Sequence, residues 1–216
     1  LALALDGSKR PCRVPTSNPG HCLFTGIVDP EHAPSLPDTP MSEASFSGWG
    51  IRTVAGGAVR YNPMSYHNGS VWPHDNALAA AGLAKSGFTS AAMRIFDAML
   101  DLSEDVDLHR LPELICGFHR RADERPTLYP VACAPQAWAA GAVYLLIQSS
   151  LGMDVDAERN QVSFRHAALP ERVERMFLSN LTVGASQVDL MLERHANDVS
   201  VSVVRRTGKL DIVAVE

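Results

Sequence analysis

The hydrophobic period changes once along this chain, near Met153, and that change limits the folds the chain can adopt. Before this point apolar residues recur at helical spacing, and after it they alternate with polar residues. The alternation runs through Val162 and Phe164, through Val188, Leu190 and Leu192, and through Val199, Val201 and Val203. The pattern predicts a mainly α body over residues 1–153 and a small β-rich C-terminal segment over residues 154–216.

The middle of the chain predicts three helices. Pro73 suits the first residue of a helix, where its missing N–H costs nothing, and Gly87 is expected to end that helix. Thr89 is expected to cap the second helix, and the third is expected over about Pro135–Leu151. The intervening residues 107–134 show no period, and irregular segments of this length inside a compact domain are usually functional.

Prolines occur at short intervals through residues 1–59, so long helices or strands are not expected there. Short helices are predicted around Gly20–Val28 and Pro30–Glu43. The chain begins at Leu1 without Met, and its first residues are interpreted as the end of an element cut from a longer chain.

Composition narrows the classes of partner. The net charge is −5, and Lys and Arg are dispersed, which argues against nucleic acid and against an anionic membrane surface. The longest apolar stretch, Ala137–Ile147, falls short of the roughly 20 residues that span a bilayer. The four cysteines form no CxxC pair, so a zinc site is not expected. We expect the cysteines to be reduced thiols in a soluble cytoplasmic protein. A neutral partner such as a sugar fits best, and no cofactor is implied.

Residues 61–76 (YNPMSYHNGSVWPHDN) are the most unusual segment of the chain. Aromatic faces can cover the C–H surfaces of a sugar, and amides, imidazoles and carboxylates can meet its hydroxyls. The alternative is structural, with Asp75 offsetting the dipole of the following helix and Trp72 lying in the core. A metal site formed by His67 and His74 lacks an evident third ligand.

Glu113 is the second candidate, because it stands among apolar residues in the segment LPELICGF. Burial without partners would raise its pKa, and an apolar collar suits a general base. The alternative is a glutamate exposed on a loop. Glycoside hydrolysis normally uses two carboxylates, and Asp75 could be the second, although nothing in the spacing demands it.

Four motifs, in this order along the chain, resemble amylo-α-1,6-glucosidase-like proteins, the family of the glycogen debranching enzymes. They are GWGIRT at residues 48–53, YNPMSYHNGSVWPHDN at 61–76, LPELICGF at 111–118 and YPVACAPQAWAAGA at 129–142. The resemblance implies part of an (α/α)6 toroid, with the active site at the ends of its inner helices. It also implies an inverting two-carboxylate hydrolase that acts on the α-1,6 branches of glycogen-like glucans or oligosaccharides.

The resemblance assigns roles to particular residues. Glu113 matches the catalytic base of the family. The sugar site would be lined by Trp49, Arg52, His67, Asn68, Trp72 and Gln136, to which we add Tyr66, Asp75 and Trp138 as candidate substrate-binding residues. The family's acid lies in an earlier motif, Phe-Gly-Arg-Asp, which these residues do not contain, and the proline-rich run 34–40 also departs from the family pattern.

Three hypotheses therefore remain open. The chain could be part of an α-glucosidase-type hydrolase with little activity alone, a non-catalytic carbohydrate-binding fragment, or a related enzyme such as a trehalase-like hydrolase or a sugar epimerase. An incomplete toroid would expose apolar surface, so self-association is expected.

Overall fold

The computed structural model describes residues 1–196 and 198–215, which form two compact units. The first unit is Leu1–Leu146 and the second is Ile147–Glu216. The first unit contains the helices and the irregular segments, and the second contains most of the strands.

The first unit opens with a short antiparallel pair, β1 and β2, and continues with helices separated by long irregular segments. Its regular elements are β1 (Ala4–Leu5), β2 (Pro11–Cys12), α1 (Asn18–Thr25), a 3₁₀ turn (Ala33–Ser35), α2 (Pro73–Lys85), α3 (Thr89–Glu104), a second 3₁₀ turn (Asp107–His109) and α4 (Ala137–Ser150), whose last four residues belong to the second unit.

The three predicted helices are confirmed as α2, α3 and α4. Pro73 is the first residue of α2. Past the end of α2, Gly87 has a φ of +85°, its N–H bonds to the Ala84 carbonyl, and the Phe88 N–H bonds to the Leu83 carbonyl. These two bonds form a Schellman motif, for which glycine is favoured because it adopts positive φ without strain. The predicted Thr89 cap is wrong: Thr89 is already helical, and the cap position is Phe88.

The prediction of a mainly α fold, with part of an (α/α)6 toroid, is wrong. The described structure is 27% helix and 25% strand, with four helices and three sheets. The physical reason is that residues 36–72 and 110–136 satisfy their backbone groups through turns and isolated bridges rather than through helical hydrogen bonds.

Isolated bridges join the motifs of the first unit. Arg52 pairs with Val71, Val71 pairs with Ile115, and Ile115 pairs with Leu128. Val71 and Ile115 exchange both backbone hydrogen bonds, at 3.0 and 2.9 Å, and both side chains are fully buried. Four backbone segments that are separated in the sequence therefore lie side by side.

Asn76 fixes this bridged layer to α2. Its buried amide accepts a hydrogen bond from the Ile51 N–H at 2.7 Å and donates to the carbonyls of Ile51 and Trp72 at 3.1 and 3.0 Å. A buried amide with three partners is well satisfied, so it sets the position of the first turn of α2.

The second unit is built from two three-stranded sheets. One contains β3 (Met153–Asp156), β4 (Gln161–Arg165) and β8 (Asp211–Val215), with β4 and β8 parallel, and the other is the antiparallel meander β5 (Arg175–Val183), β6 (Ser186–Arg194) and β7 (Val199–Thr207). Its core includes the alternating residues Val162, Phe164, Val188, Leu190 and Leu192, so the predicted strands are confirmed.

Among the described residues, the structure contains no helix with both the length and the apolar character needed to cross a membrane.

Helices α1 and α2 pack at close range through glycines. A Cβ added at Gly82 would lie 2.5 Å from the Phe24 nitrogen and 2.6 Å from the Gly20 carbonyl oxygen. Because both of these neighbours are backbone atoms, they cannot rotate away.

We therefore expect Gly82→Ala to lower the free energy of unfolding by about 1–3 kcal/mol, despite the better helix propensity of alanine. The matched control is Gly141→Ala in α4, where an added Cβ meets nothing within 4 Å. The control should be neutral or stabilising. Chemical denaturation measures both, and equal stability of the two variants would contradict this account of the packing.

Candidate active site

The Glu113 carboxylate is buried, with 5% of the residue exposed, and both of its oxygens are hydrogen bonded. Oε1 accepts from the Tyr66 hydroxyl at 2.6 Å, and Oε2 accepts from the Cys133 backbone N–H at 3.0 Å. The Cys133 N–H, followed by the Tyr66 hydroxyl, holds the pKa of Glu113 below its usual value, and the Gln136 side chain acts in the same direction. Glu113 is therefore ionised at neutral pH, because its partners outweigh the effect of burial.

Aromatic rings surround the Tyr66 side chain. Its ring makes edge-to-face contacts with Trp72 at 4.8 Å and His67 at 4.7 Å, and a more inclined contact with Tyr129 at 5.6 Å between centroids. The hydrogen bond to Glu113 raises the pKa of Tyr66 to about 12, so its phenol stays protonated and donates. We call Tyr66, His67, Trp72, His74, Tyr129 and Trp138 the aromatic cluster.

Trp138 lies at the open side of this cluster. Its indole stacks on the His74 ring at 4.3 Å, with 14° between the planes, and meets Trp72 edge-on at 5.9 Å. Trp138 is nevertheless 46% exposed. Burial lowers the pKa of His74, which favours a neutral imidazole under the indole. One face of Trp138 is thus supported by protein while part of its surface stays accessible.

A cavity of about 390 Å³ adjoins Trp138, within the size range of small-molecule sites. Its lining combines aromatic rings with amides and hydroxyls: Leu3, Thr16, Ser17, Asn18, Thr53, Val54, His67, Asn68, Trp72, His74, Asp75 and Trp138. Trp72 lies between this cavity and Tyr66, whose hydroxyl reaches Glu113.

Asp75 is buried on the first turn of α2 and pairs with His21 of α1 through Oδ1 and Nε2. This hydrogen bond raises the pKa of His21 above 6.5, against the opposing effect of burial. No atom of the described residues hydrogen bonds to Asp75 Oδ2. The pair ties the first helix of the chain to the helix that carries His74 and Asp75.

Two predicted sugar-site residues, Trp49 and Arg52, are buried among the loops of the first unit. Arg52 is buried, and its guanidinium donates to the carbonyls of Gly117 at 2.7 Å, Ala44 at 3.0 Å and Glu43 at 3.2 Å. Trp49 is buried, with the Arg120 guanidinium 4.3 Å from its ring centroid. Both side chains are engaged in connecting the irregular segments of the first unit.

The predicted residues therefore fall into three sets. Tyr66 and Gln136 meet Glu113, the cavity is lined by His67, Asn68, Trp72, Asp75 and Trp138, and Trp49 and Arg52 lie among the supporting loops.

Sequence reasoning missed His21, Asn76 and Gly117. A Cβ on Gly117 would lie 1.6 Å from the Gly69 carbonyl oxygen, so only glycine allows these two segments to approach so closely. No spacing rule links His21 to Asp75, because the two residues are 54 positions apart. The available signal for Gly117 was a glycine directly after the apolar run of the LPELICGF motif, because glycine in an extended segment often marks the close approach of another backbone.

Among the described residues, one group of side chains has metal-ligand spacing, namely Asp29, Glu31 and His32. All three are exposed and lie on a surface turn. Exposed acidic groups of this kind are common without an ion, so the group defines no metal centre.

The His21–Asp75 pair predicts a pH dependence of stability. Because the pKa of His21 is raised on folding, the pair stabilises the fold below about pH 6.5, and that contribution is lost as the pH rises through the higher folded value. We expect His21→Gln to lower the melting temperature more at about pH 5.5 than at about pH 8.5. His32→Gln removes an exposed imidazole and serves as the control, and an equal loss at both pH values for His21→Gln would contradict the assignment.

Three solved structures from Thermus thermophilus are similar to part of this chain. Two are GH63 mannosylglycerate hydrolase, one in complex with glucose and one in complex with Tris, each with 22% identity and a TM-score of 0.48. The third is an uncharacterized conserved protein with 23% identity and a TM-score of 0.47. Each match covers 64% of this chain and 32%, 30% and 32% of those chains, respectively, so this chain spans about a third of their length. No curated protein is significantly similar to this chain.

A family model gives a more direct assignment. The model of the mannosylglycerate hydrolase MGH1-like glycoside hydrolase domain matches residues 3–113, which is just over half of the chain. The match includes two of the four motifs in full, and it ends at Glu113. The prediction of a glycoside hydrolase family is confirmed at that level. This chain belongs to the mannosylglycerate hydrolase MGH1-like glycoside hydrolase domain family.

Proposed function

We propose that this chain supplies the catalytic base of an inverting glycoside hydrolase, and that Glu113 is this base. The observation that carries the proposal is the state of the carboxylate. It is buried, ionised and oriented by Tyr66 and Cys133, and it lies beside the aromatic cluster. Membership of a glycoside hydrolase family supports the same chemistry.

In this mechanism Glu113 removes a proton from a water molecule as the water oxygen attacks the anomeric carbon. The bond from that carbon to the leaving oxygen breaks, and the leaving oxygen takes a proton from a separate acid. An ionised carboxylate has about four lone-pair sites, and the Tyr66 and Cys133 hydrogen bonds take one on each oxygen. In the proposed mechanism one of the other sites faces the attacking water and accepts its proton. The resemblance described above implies that the acid is an aspartate in a Phe-Gly-Arg-Asp motif outside these residues.

The cavity beside Trp138 favours a neutral sugar as the ligand. Of the described residues that line it, none is Lys or Arg, and Asp75 contributes a carboxylate. An anionic ligand would meet no complementary charge there, whereas the hydroxyls of a pyranose would meet amides, hydroxyls and an imidazole. A neutral α-glucoside, including an α-1,6 branch of a glucan, is therefore our first candidate substrate.

Mannosylglycerate, the substrate named in the family description, is the second candidate. A second cavity of about 330 Å³ is lined by Pro112 and Leu114, the two neighbours of Glu113, and by Arg110. The Arg110 guanidinium could pair with the carboxylate of a glycerate group. This observation favours an anionic leaving group bound in the cavity next to the Glu113 segment.

Glycosyl fluorides test the base without the acid, because fluoride leaves with little help from a proton. We expect the chain to release fluoride from α-glucosyl or α-mannosyl fluoride. Glu113→Gln should lower that rate by about 10²–10⁴-fold, the usual contribution of a general base. Fluoride release is followed with an ion-selective electrode, and the anomer of the product by NMR.

The control is Glu31→Gln, which changes an exposed carboxylate on a surface turn. Equal rates for Glu113→Gln and the wild type, or a product of retained configuration, would overturn the proposal. Competition by an α-1,6-linked glucose disaccharide and by mannosylglycerate then separates the two candidates. Arg110→Gln should weaken inhibition by mannosylglycerate alone if the second candidate is correct.

A further inference from the structure

The two oxygens of Glu113 are held by segments that lie on opposite sides of it in the sequence. Tyr66 precedes Glu113 by 47 residues and reaches Oε1, whereas Cys133 follows it by 20 residues and reaches Oε2. The backbones of Glu113 and Cys133 are also joined, because the Glu113 N–H donates to the Cys133 carbonyl at 3.0 Å. Oε2 is therefore held by main chain at Cys133, and Oε1 accepts the hydrogen bond of the Tyr66 phenol.

That phenol is itself tightly held. Three rings of the aromatic cluster, those of His67, Trp72 and Tyr129, contact the Tyr66 ring with centroids within 5.6 Å. The Tyr66 carbonyl accepts hydrogen bonds from the Ser70 hydroxyl at 2.7 Å and from the Trp72 indole N–H at 3.3 Å. Ring and main chain are both constrained, so the hydroxyl has little freedom to leave Glu113.

We propose that Tyr66 is a positioning residue that fixes the orientation of the Glu113 carboxylate, rather than a residue that recognises the sugar. This role rests on the proposed function of Glu113 as the base. The Tyr66 hydroxyl has one proton, and that proton is donated to Oε1. A sugar could meet only its remaining lone pairs, so the chief effect of the phenol is exerted through Glu113.

An O–H···O⁻ hydrogen bond of 2.6 Å is charge-assisted and of the stronger kind. Such a bond keeps the carboxylate in one rotamer and leaves the lone pairs on its other edges for the attacking water. The same bond stabilises the ionised carboxylate, so its removal should change both the geometry of attack and the pH at which the base becomes protonated.

The test compares Tyr66→Phe, which keeps the ring and removes only the hydroxyl, with Tyr61→Phe. Tyr61 is a matched control because its hydroxyl donates to the Gly117 carbonyl at 3.2 Å and not to a carboxylate. Carbon NMR of ¹³C-labelled glutamate follows the Glu113 carboxyl during an acid titration, and Glu113→Gln identifies its signal. We expect the Glu113 titration to move to higher pH in Tyr66→Phe and to stay in place in Tyr61→Phe.

A reverse experiment does not depend on Tyr66→Phe being folded. In Glu113→Gln the titration of the Tyr66 ring, at about 12 in the wild type, should fall toward the ordinary tyrosine value of about 10. An unchanged Glu113 titration in Tyr66→Phe, or an unchanged Tyr66 titration in Glu113→Gln, would overturn the inference.

Kinetics separate this inference from the proposed function. With a glycosyl fluoride, Tyr66→Phe should lower kcat by up to about 100-fold with little change in KM, and it should move the acid limb of the rate profile to higher pH. A rise in KM with kcat and the acid limb unchanged would instead make Tyr66 a sugar-binding residue. If the NMR titrations of Glu113 and Tyr66 are coupled but no fluoride is released, Tyr66 still positions the Glu113 carboxylate and the proposed function fails.

Discussion

The paired backbones of Val71 and Ile115 are the constraint on which the first unit depends. Both side chains are fully buried, and the two residues exchange both backbone hydrogen bonds. Trp72 and the first turn of α2 follow directly after Val71, and Glu113 stands two positions before Ile115. Fixing this one pair therefore sets the distance between the aromatic cluster and the candidate base. A bridge of two residues suffices because the Asn76 amide and the Arg52 guanidinium hold the flanking loops.

The candidate site shows how an ionised carboxylate is tolerated in an apolar surrounding. Leu111, Leu114 and Ile115 are buried around Glu113, and burial alone would favour the neutral acid. The hydrogen bonds from the Cys133 N–H and the Tyr66 hydroxyl reverse that preference. Asp75 has a different kind of partner, the His21 imidazole, whose charge depends on pH. The two carboxylates thus have different environments: Glu113 accepts from a backbone N–H and a phenol, and Asp75 pairs with an imidazole.

The sequence predicted well those helices and strands whose formation depends on residues close together in the chain. The alternation of Val188, Leu190 and Leu192 predicts a half-buried strand, and they lie in β6. Pro73 predicts a helix start because the missing N–H matters only at that position, and α2 begins there. The third helix was predicted from its run of small and apolar residues, and α4 is found within one or two residues of the expected bounds.

The parts that sequence could not predict depend on contacts between distant residues. Isolated bridges have no period, so the irregular half of the first unit left no signal of its folded form, and the helical content was overestimated. Glu113 was identified from its apolar neighbours, but its partner Tyr66 lies 47 residues earlier. Without its two partners, the Cys133 N–H and the Tyr66 hydroxyl, burial gives the wrong direction for the pKa of Glu113. The donors of Arg52 reach the carbonyls of Gly117 and Ala44, contacts between distant loops that its motif does not predict.

A crystal structure of the chain with a bound non-hydrolysable pyranoside tests the central claim most directly. The account predicts a water molecule within about 2.6–3.2 Å of a Glu113 carboxylate oxygen, on the face of the anomeric carbon opposite the leaving group, while Tyr66 still donates to Oε1. A sugar bound with its anomeric carbon remote from Glu113, or a Glu113 carboxylate turned away from both the water and Tyr66, would contradict it.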